Sequence, residues 1–156
     1  MVGELVQRAK IFATEKHEGQ FRKDGVTPYI THPEALVNLL ICIGVRDEDI
    51  LASTWLHDVM EDCGVSRIDL ENRFNSNVAY IVAELTRDCG REEYNQRIRN
   101  SEFAVRIIKM ADMIHNSSDY VSKKRRQDAY HMYFDLCKNT FEPLYHLLKA
   151  NITRNS

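Results

Sequence analysis

The sequence is poor in residues that interrupt helices. Among 156 residues there are 6 glycines and 3 prolines, which speaks against collagen-like repeats, long structureless loops and disordered linkers. The four cysteines, Cys42, Cys63, Cys89 and Cys137, are scattered and never paired at zinc-ribbon spacing. No apolar run approaches the roughly 20 residues of a membrane span, and no charged-then-apolar leader opens the chain. Reduced thiols and a cytoplasmic location are therefore expected. An excess of positive charge is missing as well, since the formal net charge is −2. Nucleic-acid partners, which need a broad basic face, are not expected. Attraction for a polyphosphate would have to come from local basic residues and a cation.

What is present is helical periodicity, nearly throughout. Leu5, Val6, Ala9, Phe12 and Ala13 form one apolar stripe, and Gly19 is placed to stop that helix. Asp24-Gly25 and Pro28 mark a loop. Pro33 suits a first helical position, which puts His32 at or near an N-cap. Ala35, Leu36, Leu39, Leu40 and Ile43 give the buried face of a second helix, closed by Gly44. Asp47 caps a third, which carries Ile50, Leu51, Thr54 and Leu56 and runs to at least Glu61. Ser66 with Asp69 reads as a capping box. Val78, Ile81, Val82 and Leu85 mark another helix, and Ser101 opens one that buries Ala104, Ile107, Ile108 and Ala111. A last helical segment runs from about Arg126 to Ile152, with a break before Pro143. No alternating strand pattern stands out. The expected fold is all-α, a single-domain helical bundle over residues 1–156.

Three polar intrusions do not belong on ordinary amphipathic helices. His57-Asp58 and Glu61 continue the apolar stripe of Ile50 and Thr54, so charge is aimed inward. Asp112 interrupts Ile107-Ile108-Lys109-Met110-Ala111, with Asn116 one turn further along the same face. His32 opens the second helix. Burying such groups costs several kcal/mol unless a partner or a cation compensates. Each alone has a plain explanation: a surface His-Asp pair, a capping histidine, an acid paired with Lys109 or Arg106. Together they supply two imidazoles and two carboxylates, a mixed set suited to manganese, iron or zinc. Their order and placement match the HD phosphohydrolase superfamily.

Longer motifs narrow the resemblance. Gly19-Gln20-Phe21-Arg22-Lys23-Asp24-Gly25 with Pro28-Tyr29-Ile30-Thr31-His32-Pro33, then Leu56-His57-Asp58-Val59-Met60-Glu61-Asp62, then Ile108-Lys109-Met110-Ala111-Asp112-Met113-Ile114-His115-Asn116 follow one another in order. This pattern resembles the hydrolase domain of RelA/SpoT-type enzymes, and within them the stand-alone small alarmone hydrolases. The resemblance implies an HD-type bundle that uses Mn2+ to remove the 3′-pyrophosphate of guanosine tetra- or pentaphosphate. It also implies His32, His57, Asp58 and Asp112 as metal ligands, and Glu61 and Asp62 as the groups that position and activate water. Arg22 would lie against the purine with Lys23 beside it, Asn116 would contact the ribose or 3′-phosphate, and Tyr133 would line the pocket.

Some features depart from that pattern or stand outside it. Thr86 to Ser101 is short and rich in charge, and Ser117-Ser118 stand where the family often has leucine and arginine. With 156 residues there is no room for a synthetase domain, so a hydrolase alone is expected. Lys123-Lys124-Arg125-Arg126 reads as a solvated run, and Tyr130, Phe134, Phe141 and Trp55 as core. His17, His131 and His146 read as surface or packing residues. The competing functions are an HD phosphatase acting on an adenosine alarmone, a nicotinamide dinucleotide 2′-phosphate or a nucleoside monophosphate, and a non-catalytic nucleotide sensor.

Overall fold

Side-chain caps and apolar spacing place the helices of this chain. A computed structural model describes residues 3–118, 136 and 138–154. Its helices are α1 Glu4–Lys16, α2 Thr31–Cys42, α3 Glu48–Leu56, α4 Val59–Cys63, α5 Arg67–Arg73, α6 Ser76–Leu85, α7 Arg91–Asn100, α8 Phe103–Ser118 and α9 Glu142–Arg154. The Asp47 carboxylate accepts from the Ile50 N–H to start α3. Ser66 and Asp69 form the reciprocal capping box of α5, and Asn75 caps α6 through the Val78 N–H. Each satisfies a backbone donor that the first turn would otherwise leave open. The fold is all-α. Among the described residues the β pairing is one isolated antiparallel bridge, Phe21 with Pro28.

Helix α3 is the centre of the bundle. Every residue from Ile50 to Leu56 is buried, with α1, α2 and α6 packed around it. Helix α8 lies against α2, α6 and α9 and contributes Val105, Ile107, Ile108, Met110 and Ala111 to the same core. Leu36 and Leu40 of α2 are fully buried. Trp55 is core as expected, and so is Leu144 of α9.

The structure corrects three local expectations. Helix α3 does not run on to Glu61: it stops at Leu56, and His57-Asp58 form a turn before α4. Asp58, with φ −106° and ψ −3°, is the N-cap of α4, and its carbonyl accepts from the Asp62 N–H at 2.8 Å. Helix α2 starts at Thr31 with Ile30 as its cap, so Pro33 is its third residue and not its first, and His32 sits near the cap, inside the first turn. Ser101 closes α7 rather than opening α8, its hydroxyl donating to the Ile98 carbonyl at 2.7 Å. The charge-rich stretch before it is itself helical, as α7. Of the expected terminal helix, the part before Leu136, with Lys123–Arg126, Tyr130, His131, Tyr133 and Phe134, lies outside the described residues.

Leu36 tests the packing that holds α2, and therefore His32, against the bundle. Leu36→Ala should destabilise the metal-free protein by about 2–5 kcal/mol in urea unfolding. A loss below about 1 kcal/mol would mean that α2 is not anchored as described.

Candidate metal centre

Two helices and one turn carry the polar cluster into the core. His32 comes from the first turn of α2, His57 and Asp58 from the α3–α4 turn, and Asp112 from the buried face of α8. One ligand atom from each of His32, His57 and Asp112 lies within 4.8 Å of the other two. His32 Nε2 is 3.1 Å from Asp112 Oδ1 and 4.0 Å from Asp58 Oδ2. His57 Nε2 is 2.8 Å from Asp58 Oδ2. His32, His57 and Asp112 thus form one compact group, and Asp58 adjoins it through the two histidines.

Hydrogen bonds set the chemical form of these groups. His57 Nδ1 is 2.8 Å from the Thr54 carbonyl. A carbonyl only accepts, so a proton sits on Nδ1, and in the neutral ring Nε2 carries a lone pair. That nitrogen is buried and, among the described residues, has no hydrogen-bond partner, although Asp58 Oδ2 is close by. A nitrogen lone pair facing a carboxylate oxygen in a buried site is repulsive until a proton or cation sits with them. A divalent cation fits this arrangement. The second imidazole conforms: His32 Nδ1 is 2.8 Å from His115 Nδ1. Its Nε2 is 3.1 Å from Asp112 Oδ1; in the tautomer whose Nδ1–H donates to His115, Nε2 is bare toward the same point.

Electrostatics describe the same demand for positive charge. Burial opposes the charged form of His57, yet the Asp58 and Asp112 carboxylates outweigh it and lift the imidazolium to about 9. Burial likewise opposes the Asp58 anion, and His57 with Tyr29 overcomes it, bringing the carboxyl down to about 2. Asp112 is also buried, and the Lys109 ammonium with His32 holds it well below the usual carboxylate range. Lys109 Nζ lies 2.8 Å from Asp112 Oδ2, which bears out one of the two partners expected for that acid. His32 is pushed down, mainly by burial. Without a cation the carboxylates therefore hold their proton on His57.

The remaining expected site residues fall into three groups. Arg22 and Asn116 reach the cluster: Asn116 Nδ2 donates to Asp112 Oδ1 at 2.6 Å, and its Oδ1 accepts from Arg22 Nη2 at 3.0 Å. Asp62 is electrically coupled to it, its carboxyl raised by partial burial and by the charges of Asp58 and Glu61. Glu61 is turned elsewhere, accepting from the Arg87 N–H at 3.0 Å. Lys23 is exposed on the loop, and Tyr133 lies outside the described residues. Ser117 faces its own helix, donating to the Ile114 carbonyl at 2.7 Å.

A family model described as an HD domain matches residues 9–146. The chain belongs to the HD-domain family. Similar proteins include the guanosine-3′,5′-bis(diphosphate) 3′-pyrophosphohydrolase MESH1 of Xenopus tropicalis, 33% identical over 123 residues, covering 74% of this chain and 69% of the relative. A guanosine-3′,5′-bis(diphosphate) 3′-pyrophosphohydrolase of Haemophilus influenzae is 32% identical over 93% of this chain, which spans only 23% of that longer protein. A solved structure described as a metazoan orthologue of SpoT that hydrolyses ppGpp superposes with a TM-score of 0.87 at 25% identity, over 99% of this chain and 97% of that one. The HD bundle accounts for the whole described fold.

Three residues at this HD site were not foreseen. Tyr29 donates its hydroxyl to Asp58 Oδ2, and burial followed by the Asp58 charge keeps that phenol protonated well above its ordinary range. His115 supports His32, and its position three residues after Asp112 on α8 is the sequence signal for it. His17, read from the sequence as a surface or packing residue, is a packing one: it is buried, with its ring tilted against Tyr29 at 4.6 Å. Its Nδ1 pairs with Gln20 Oε1 at 2.8 Å.

Metal-stripped protein should take up about one divalent transition cation. Its melting temperature should rise with that cation, because only the folded state assembles the cluster. His57→Ala should abolish both responses. An unchanged melting temperature on manganese titration of the native protein would contradict the site.

Proposed function

We propose that the protein is a metal-dependent guanosine-3′,5′-bis(diphosphate) 3′-pyrophosphohydrolase, yielding GDP or GTP and pyrophosphate. The observation that carries this reading is the chain Arg22–Asn116–Asp112, in which a guanidinium able to stack on a purine and a carboxylate of the metal centre share one amide. A nucleotide held by Arg22 would be delivered with its ribose toward Asn116 and its phosphates toward the cluster. The names of the relatives point to the same substrate.

His32, His57, Asp58 and Asp112 would hold the ion; their mixed nitrogen and oxygen donors accept manganese, iron or zinc, and Mn2+ is the ion that the RelA/SpoT-type resemblance implies. When bound, the ion supplies Lewis-acid stabilisation of the charge that grows on the phosphoryl oxygens, and it acidifies water. Asp62 is the group that takes the proton of the attacking water. Its neighbours Asp58 and Glu61, together with partial burial, make it a better proton acceptor than an ordinary aspartate. Attack falls on the phosphorus attached to the ribose 3′-oxygen, which leaves with a proton while pyrophosphate departs intact. Glu61, bound to the Arg87 N–H, fixes the segment that carries Asp62. Lys23 and Tyr133 complete the nucleotide contacts in this reading. The described residues contain no helix long and apolar enough to cross a membrane, and a nucleotide substrate with the free thiols of Cys42, Cys63 and Cys89 fits a cytoplasmic setting.

A panel of purine nucleotides with manganese tests the proposal through its products. Intact pyrophosphate should appear from guanosine tetraphosphate, with little action on nucleoside monophosphates. Orthophosphate from another nucleotide, with the tetraphosphate untouched, would make the protein an HD phosphatase of a different kind. Binding without turnover would make it a sensor.

The variants should separate roles. Asp62→Asn should keep the metal and lose at least about 100-fold in turnover. Glu61→Gln should lose less, because its amide oxygen can still accept from Arg87. Arg22→Ala should raise KM more than it lowers kcat, since a stacked base is held about equally in ground and transition states. Equal losses at Glu61 and Asp62 would contradict the division between base and anchor.

A further inference from the structure

Asp58 differs from the other three residues of the metal cluster in how it is held. His57 is fixed by the Thr54 carbonyl, His32 by His115, and Asp112 by both Lys109 and Asn116. Asp58 sits in the turn between two helices as the N-cap of α4, and its side chain makes no capping hydrogen bond that would aim it. Its nearest donor is a tyrosine hydroxyl from the nucleotide loop.

That tyrosine is built into the loop. The Tyr29 N–H donates to the Gln20 carbonyl at 2.9 Å, and the neighbouring Phe21–Pro28 bridge closes the loop beneath Arg22. Its ring rests against buried His17 at 4.6 Å, with the Arg22 guanidinium 5.8 Å from the ring centroid. One aromatic side chain thus touches the carboxylate of the metal centre at its tip and the arginine of the nucleotide loop at its face. Given the reading of this site as a metal-dependent nucleotide hydrolase, we propose that Tyr29 is the positioning residue that orients Asp58 toward the cation and links the nucleotide loop to the metal centre.

A carboxylate oxygen has two lone pairs. The hydroxyl of Tyr29 occupies one on Asp58 Oδ2 and leaves the other directed toward the His57 Nε2 side, 2.8 Å away. Without that hydroxyl the carboxylate is free to rotate out toward solvent, because its side chain is 23% exposed where that of Asp112 is 11%. Outer partners of this type set metal affinity by about 10–100-fold.

The test compares native protein with Tyr29→Phe and Tyr29→Leu, each stripped of metal and titrated with Mn2+ by calorimetry, with turnover of guanosine tetraphosphate followed at limiting and excess Mn2+. Tyr29→Phe keeps the ring. It should weaken Mn2+ binding about 10-fold or more, lose turnover at limiting Mn2+, and recover kcat within about threefold in excess Mn2+, with KM little changed. Recovery by metal is what a merely structural role would not give. Tyr29→Leu, which also removes the surface under Arg22, should in addition raise KM. Mn2+ affinity within twofold of native in Tyr29→Phe would overturn the proposal while leaving the hydrolase reading intact. So would loss of the helical circular dichroism of that variant, since the hydroxyl would then be supporting the fold. Failure of the native protein to bind Mn2+ would overturn both.

Discussion

Two lone pairs aimed at each other govern this molecule. The Thr54 carbonyl claims the proton of His57 Nδ1, which leaves Nε2 of the neutral ring bare and buried at 2.8 Å from a carboxylate oxygen of the adjacent Asp58. Neither atom can turn away cheaply: the imidazole is locked by its own helix, and Asp58 by a turn and the Tyr29 hydroxyl. The fold therefore needs a positive charge at this point. A proton on His57 supplies it in the free protein, and a divalent cation displaces that proton when bound.

Much of the remaining architecture serves to hold that demand in place. Helix α3 is buried from Ile50 to Leu56, so that its last turn presents Thr54 and His57 without solvent to relieve them. Helices α2 and α8 pack on each other and bring His32 to Asp112 across 80 residues of sequence. The loop between α1 and α2 folds back through the Phe21–Pro28 bridge and puts Arg22 on Asn116. In the proposed reaction this places nucleotide recognition and the metal centre on adjacent turns of α8, at Asn116 and Asp112. A substrate spanning both would meet the purine site and the cation without any large movement of the fold.

How much was legible in the sequence depended on how local each signal was. The caps at Asp47 and Ser66 were readable because one side chain and one backbone N–H decide them. The four clustered residues were readable because a charge on an apolar stripe is a costly anomaly that one residue exposes. The break at His57-Asp58 was not, since neither glycine nor proline marks it and the apolar spacing continues through it. Helix α7 was hidden because only Tyr94 and Ile98 anchor an otherwise charged segment. Tyr29 and His17 were missed for a different reason. Their identities suit an ordinary loop and an ordinary surface, and only the folded chain brings ring onto ring and hydroxyl onto carboxylate.

Anomalous diffraction from crystals grown with manganese tests the central claim most directly. The expected result is one strong anomalous peak within coordination distance of His32 Nε2, His57 Nε2, Asp58 and Asp112, with His57 Nδ1 still bound to the Thr54 carbonyl. A peak at any other place, or none while His57 and Asp58 keep the arrangement described, would contradict it.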